Sequence, residues 1–144
     1  MFRRLISTSA TWIPLPLRLA MSVIFVAHGA QKVLGSFNGP GLEKWVSIPA
    51  PFSFMKPGWL WLGAAAFSEL IGGILLFLGL LTRLGAFLIA CTMITALISV
   101  HWPGFFMPKG IEYPLALFAI CLALLISGGG MASVDLAMSS GRRR

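Results

Sequence analysis

Acidic residues are scarce in this chain. There are four among 144 residues, against eleven lysines and arginines, and charged residues of both signs make up 10% of it. A water-surrounded domain of this length needs far more polar cover, so a soluble fold is excluded. Cysteine is equally thin. Cys91 and Cys121 both fall in apolar runs, with no Cys-x-x-Cys and no zinc spacing. That leaves no disulfide framework and makes packing the expected role of both thiols. No motif for flavin, nicotinamide or nucleotide is present, so no intrinsic cofactor is expected. Electron chemistry would need a partner or a bound lipid-soluble carrier.

What the chain has is apolar length. It is 58% hydrophobic, with a mean hydropathy of +0.90. A run of about 20 apolar residues crosses a bilayer, and four runs qualify: approximately 14–35, 59–80, 83–101 and 113–128. The expected fold is all-α, a four-helix transmembrane bundle with a long outer loop between the first and second spans, and residues 1–144 as one integral membrane domain. The basic lead with Arg3 and Arg4, followed by a short apolar run to Ala27 and Gly29, has the outline of a cleaved signal peptide. Arg18 interrupts that outline, and a retained first span is the favoured reading. The loop from Gly35 to Gly58 is rich in Gly, Pro and aromatics. Within it Gly41 to Ser47 can form a short interfacial helix anchored by Trp45. An interfacial plug without chemistry is as good an account of that loop as a functional one.

The formal charge of +7 does not point to nucleic acid, because the arginines sit at the chain ends and in one turn. Arg3, Arg4, Arg83 and Arg142 to Arg144 fall on one side of a four-span arrangement. Lys44, Lys56 and Lys109, offset by Glu43 and Glu112, fall on the other. The positive-inside rule then puts both termini in the cytoplasm of a bacterial inner (cytoplasmic) membrane protein. The expected partners are the lipid bilayer and either other membrane subunits or further copies of the chain.

Glu69 stands near the middle of the second span. A carboxylate at that depth costs roughly 2.5–3.5 kcal/mol on insertion scales, which makes it a functional candidate by default. Small residues surround it in two stripes, Ala65 with Gly73 and Ala64 with Ser68 and Gly72, so a neighbouring helix can approach closely. On the first span, at about 100° per residue, Ser22, Phe25, Gly29 and Lys32 fall within about 40° of Arg18, and His28 about 80° to one side. Arg18 and Lys32 can snorkel toward opposite interfaces, whereas His28 lies roughly 10 Å inside the outer boundary. Glu69, His28 and Lys32 are therefore the candidate catalytic set, for proton handling or contact with a quinone carbonyl. The bland alternative is a buried clasp between the first two spans, at about even weight. Arg18 with Asp135 reads as a structural ion pair between the chain ends. Haem between His28 and His101 is disfavoured by their different depths. Gly85, Thr92, Thr95 and Ser99 share a face of the third span, read as helix packing first and polar lining second. The five tryptophans fall near predicted boundaries, as interfacial anchors do.

Three stretches, LRLAMSVIFVAHGAQKVLG, SELIGGILLFLGLLTRLGA and GIEYPLALFAICLALLISGGGMASVD, together resemble the DoxX family of small four-helix membrane proteins. The likeness runs from about Leu17 to Asp135. It takes in Arg18, His28, Gly29, Lys32, the segment Glu69 to Gly73, the Leu-Gly-Leu-Leu-Thr-Arg turn, Glu112-Tyr113 and Ser133 to Asp135. The resemblance implies a subunit or accessory factor of a quinone- or quinol-linked redox system, with a possible bound quinone, and it supports a retained first span. A complete thiosulfate-oxidising enzyme is not expected, since no thiosulfate-related domain accompanies the pattern. The alternative from another class is a non-catalytic structural subunit that braces a larger membrane complex. A solute or proton transporter is the weakest reading, because no internal repeat or broken helix is visible.

Overall fold

Pro14 stands at the first position of helix α1 (Pro14–Leu34), where its missing N–H and fixed φ are harmless. Gly35 ends α1 in the left-handed region at φ 72°, its N–H returning to the Ala30 carbonyl. A single 3₁₀ turn (Ser36–Asn38) and the short helix α2 (Gly41–Ser47) fill the connection to α3 (Gly58–Leu78). Helix α4 (Thr82–Ala96) runs on into a wider π-helical turn (Leu97–His101). Helices α5 (Glu112–Ser127) and α6 (Val134–Ser140) complete the order.

The computed structural model describes residues 5–106, 108 and 110–140, and among these there is no strand. Arg3, Arg4, Lys109 and Arg142 to Arg144, on which much of the expected charge asymmetry rests, lie outside the described residues. Three helical stretches are long and apolar enough to cross a membrane: Pro14–Leu34, Gly58–Leu78 and Thr82–His101. Helix α5 is as apolar but has 16 residues, about 24 Å at 1.5 Å per residue. The apolar surface faces outward. Val23, Phe77, Phe87, Ile98 and Ile126 are all more than half exposed. Water would not tolerate such a belt, and hydrocarbon requires it. This is a membrane protein.

The four long helices close a ring in which α1 packs on α3, α3 on α4, α4 on α5, and α5 back on α1. Glycines set the closest approaches. A Cβ on Gly29 would stand 2.5 Å from the Leu70 backbone nitrogen, and one on Gly73 would stand 2.8 Å from that of Val26. On the next face of α3, a Cβ on Gly72 would meet the Gly85 carbonyl at 3.1 Å. The small-residue stripes therefore serve two partners, α1 on one side and α4 on the other. The core inside the ring includes Met21, Phe25, Leu76, Ile89, Met93, Leu117 and Leu124.

One end of the ring is tied by charge and backbone together. Arg18, only 1% exposed, does not snorkel. Its guanidinium donates to the carbonyls of Leu76 (2.8 Å), Phe77 (3.0 Å), Gly129 (2.8 Å) and Ala132 (2.7 Å). Leu76 and Phe77 belong to the last turn of α3, where carbonyls lack intrahelical partners and the helix dipole is negative. Asp135 accepts from the amides of Leu81 (2.8 Å) and Thr82 (2.9 Å), capping α4 from outside at the positive end of its dipole. Arg18 and Asp135, expected as an ion pair, are brought to the same end and act on each other electrostatically, while the hydrogen bonds of each go to backbone groups: those of Arg18 to the end of α3 and the segment after α5, those of Asp135 to the α3–α4 turn. The Asp135 amide closes the knot by donating to the Gly79 carbonyl at 3.0 Å. Gly79 is needed there twice over: its φ is 63°, and a Cβ would stand 2.5 Å from Arg18 Cζ. The N-terminal segment joins the same end, with Ser9 N–H on the Ser127 carbonyl (3.1 Å) and Met131 N–H on that of Thr11 (2.9 Å).

Candidate functional site

The remaining charged side chains of α1 and α3 meet in the other half of the ring. Lys32 Nζ lies 2.6 Å from Glu69 Oε1 and 2.5 Å from Oε2, with side-chain exposures of 18% and 5%. The pairing follows from the helices. Gly29 and Gly73 bring α1 and α3 into backbone contact, so a lysine one turn beyond Gly29 reaches a carboxylate one turn before Gly73. Both charges would be costly alone at this depth, and together they form a compact neutral unit. Lys32 therefore turns inward and does not snorkel to the outer interface.

A third group completes the unit, and the sequence placed it differently. The Trp45 ring covers the ammonium at 4.7 Å from its centroid. Its indole N–H donates to the Leu62 carbonyl at 2.9 Å, which pins α2 across α1 and α3. Residues 41–47 are helical as expected, and Trp45 is held by protein contacts that the sequence did not show. Trp12, Trp59, Trp61 and Trp102, by contrast, are 45–69% exposed, as interfacial anchors are.

The pair opens onto a cavity of about 570 Å³ walled by α1, α2, α3, α4 and α5. Most of its lining is apolar, with Ile24, Phe25, Leu62, Met93 and Leu117 among the contributors. Polar groups reach it from four helices: His28 and Lys32 from α1, Ser68 and Glu69 from α3, Thr92, Thr95 and Ser99 from α4, and Tyr113 from α5. His28 is exposed and shares the cavity with the pair, yet is not bonded to it. The three hydroxyls of α4 each donate back to their own helix, Thr92 to Ile89 (2.8 Å), Thr95 to Cys91 (3.0 Å) and Ser99 to Thr95 (2.7 Å). With their protons so committed, they can offer the cavity only acceptors. Such back-bonding loosens a helix, and α4 widens into its π turn at this point. The reading of this face as a packing seam is therefore corrected for these three residues: Gly85 packs, and the hydroxyls line the cavity. Cys91 also lines it, whereas Cys121 is fully buried in the core. Among the described residues no cluster of three or more His, Cys, Asp or Glu could hold a metal ion.

The cavity thus sets a carboxylate and an ammonium at one wall, with the His28 imidazole beside them and a mostly apolar lining elsewhere.

The family profile designated DoxX matches residues 13–102, which hold α1 to α4 and the whole Lys32–Glu69–Trp45 unit. The chain is also 32% identical over 128 residues to the Bacillus subtilis (strain 168) protein named "Putative oxidoreductase CatD". That likeness covers 88% of this chain and 87% of the relative. No solved structure matches it.

Proposed function

The chain belongs to the DoxX family, and from that premise we propose that it is a small membrane component of a quinone-linked redox system. In this reading α5 is the fourth crossing, its shortness met by local thinning of the bilayer. The chain ends and Arg83 then face the bacterial cytoplasm, and the cavity lies in the outer half of the inner membrane. The observation that carries the reading is the buried Lys32–Glu69 pair at the wall of an otherwise apolar cavity of about 570 Å³. The oxidoreductase designation of the relative supports it.

A quinone would supply the two-electron chemistry, and a redox partner would exchange electrons with it. The chain's own residues handle position and protons. Glu69 accepts a proton at its carboxylate, which leaves the Lys32 ammonium without its counter-charge and so favours passing that proton on. His28, free in the same cavity, passes protons between the pair and the outer surface. The apolar walls keep bulk water from the reacting oxygens.

Native mass spectrometry of gently extracted protein tests this directly. Wild type retains quinone, and Glu69→Gln loses it while circular dichroism shows an intact helical fold. Equal retention, or equal quinone-dependent turnover, in the mutant would sink the role of Glu69. One observation favours a second reading, the non-catalytic brace: Lys32 is fully occupied by two carboxylate oxygens and a ring, as a structural clasp would be. That reading expects stoichiometric capture in a large complex with no ligand.

A further inference from the structure

The wall of the cavity is interrupted between α3 and α4. On α3 the residues Leu60, Ala64, Phe67 and Ile71 recur at intervals of three and four and are all exposed, which makes them part of that helix's outward stripe. On α4 the corresponding stripe holds Phe87, Cys91, Ile94 and Ile98. One residue of each set, Ala64 and Cys91, also lines the cavity. A side chain belongs to the outward face and to the cavity wall together only where the cavity reaches the outer surface.

The helix geometry puts both residues on one flank. Gly72 and Gly85 mark the line along which α3 and α4 touch, since a Cβ on Gly85 would stand 3.0 Å from the Gly72 carbonyl. At about 100° per residue Ala64 is about 80° round α3 from that line, and Cys91 about 120° round α4. In an antiparallel pair these two rotations lead to the same side, opposite the one on which Gly73 meets Val26 of α1. Ser68 and Thr95, at about 40° and 80°, lie between the line of contact and that flank, and they line the cavity too. The contact made at the two glycines therefore opens toward the His101 end, and the cavity passes between the helices there. Ala64 lies about 9 Å from the Gly58 end of α3, and Cys91 about 15 Å from the His101 end of its 20-residue span. That depth is hydrocarbon.

We infer that the cavity has a lateral window between α3 and α4, and that its occupant is a single-chain amphiphile drawn from the bilayer, with its polar head beside Lys32 and Glu69 and its apolar tail running out through the window. The occupant's chemistry follows from what meets it at each end. The edges of the window are Ala64, Ser68, Cys91 and Thr95, all small and uncharged, and Thr95 spends its proton on the Cys91 carbonyl. They leave room for an alkyl chain, and hydrocarbon lies directly outside. Inside, the walls are apolar as far as the charged pair, which offers a polar head its partners. This deepens the carrier reading by giving the ligand a tail and a route, and rests on it only for the ligand's identity.

Photo-crosslinking in lipid nanodiscs tests the window, with hexadecanol carrying a diazirine beside its hydroxyl as the probe. In wild type the probe labels Met93 and Leu117, which line the cavity but are buried from the outer face. Ala64→Trp with Cys91→Phe fills the window, and that labelling falls at least tenfold. Phe67→Trp with Ile94→Phe enlarges the same two stripes where they do not line the cavity, and labelling stays within twofold of wild type. Absent labelling of both residues in wild type, equal labelling in the filled variant, or an equal loss in both variants would each overturn the window. A decyl-tailed benzoquinone added as competitor separates this result from the carrier reading. If it displaces the alcohol, both stand. If labelling obeys the window but resists the competitor, the window stands and the carrier reading falls. If the quinone displaces the alcohol equally from wild type and the filled variant, the carrier reading stands and the window falls.

Discussion

Arg18 and Lys32 stand on one face of α1, and the protein neutralises them by different means. Arg18 is planar and five-donored, and it meets four carbonyls at once. A lysine there is a point charge that cannot span them. Arg18→Lys should therefore destabilise the bundle by at least about 2 kcal/mol, through carbonyls left without a donor. Equilibrium denaturation in mixed micelles measures this. Thr82 is the opposite case. Its hydroxyl is fully buried without a partner among the described residues, and nothing in the structure explains it. Thr82→Val keeps the shape and removes the orphan, so stability in the same assay should be unchanged or rise by up to about 1 kcal/mol. One face of α1 was legible at this scale: of the residues grouped with Arg18 by angle alone, Ser22, Phe25 and Gly29 are buried with it and Lys32 is half-buried. Their partners were not. Charge sign suggested Asp135 for Arg18, and that carboxylate does act on it, but backbone carbonyls carry no mark in a sequence, and they take its hydrogen bonds.

Among the elements, α2 is short and packs against both α1 and α3, over the charged pair of the site. It contains no buried residue and is held over α1 and α3 through Trp45 and its neighbours. Trp45→Phe keeps a ring over Lys32 and loses the bond to Leu62, at a cost of about 1 kcal/mol. Trp45→Ala loses both. Hydrogen exchange over residues 41–47 should rise slightly in the first variant and strongly in the second, with α4 and α5 unchanged. Exchange that is equal in the two variants would mean that α2 does not depend on this ring. The helix itself was readable from Gly41 to Ser47, because its short amphipathic pattern is local. Its docking was not, since a cation–π contact between residues in different elements has no sequence period. The α4 hydroxyls were misjudged for a related reason. A Thr-Thr-Ser row at helical spacing fits a seam and a cavity wall equally, and only the neighbouring helices decide between them.

At the scale of the molecule, the apolar belt and the three long helices follow from composition and run length, which is why membrane character was plain before any geometry. The ring order was less accessible, because it depends on which glycine faces which helix. The proposed orientation makes a prediction of its own. Single cysteines at Ser9 and Ser139, in a background lacking Cys91 and Cys121, should resist an impermeant thiol reagent in intact cells and react after lysis. A cysteine at Ser53, in the connection before α3, should react in intact cells. Labelling of all three from outside would overturn the topology.

The Arg18 knot also imposes an order on biogenesis. Arg18 leaves the ribosome early, but its acceptors lie 58 and 59 residues downstream on α3, and 111 and 114 residues downstream beyond α5. Until α3 is made, the first helix carries a guanidinium that lacks all four of these acceptors, at a real cost to residence in hydrocarbon. The complete set of contacts that seats α1 can form only after the segment around Gly129 has been made. Residues made more than a hundred positions later complete the setting of the first helix.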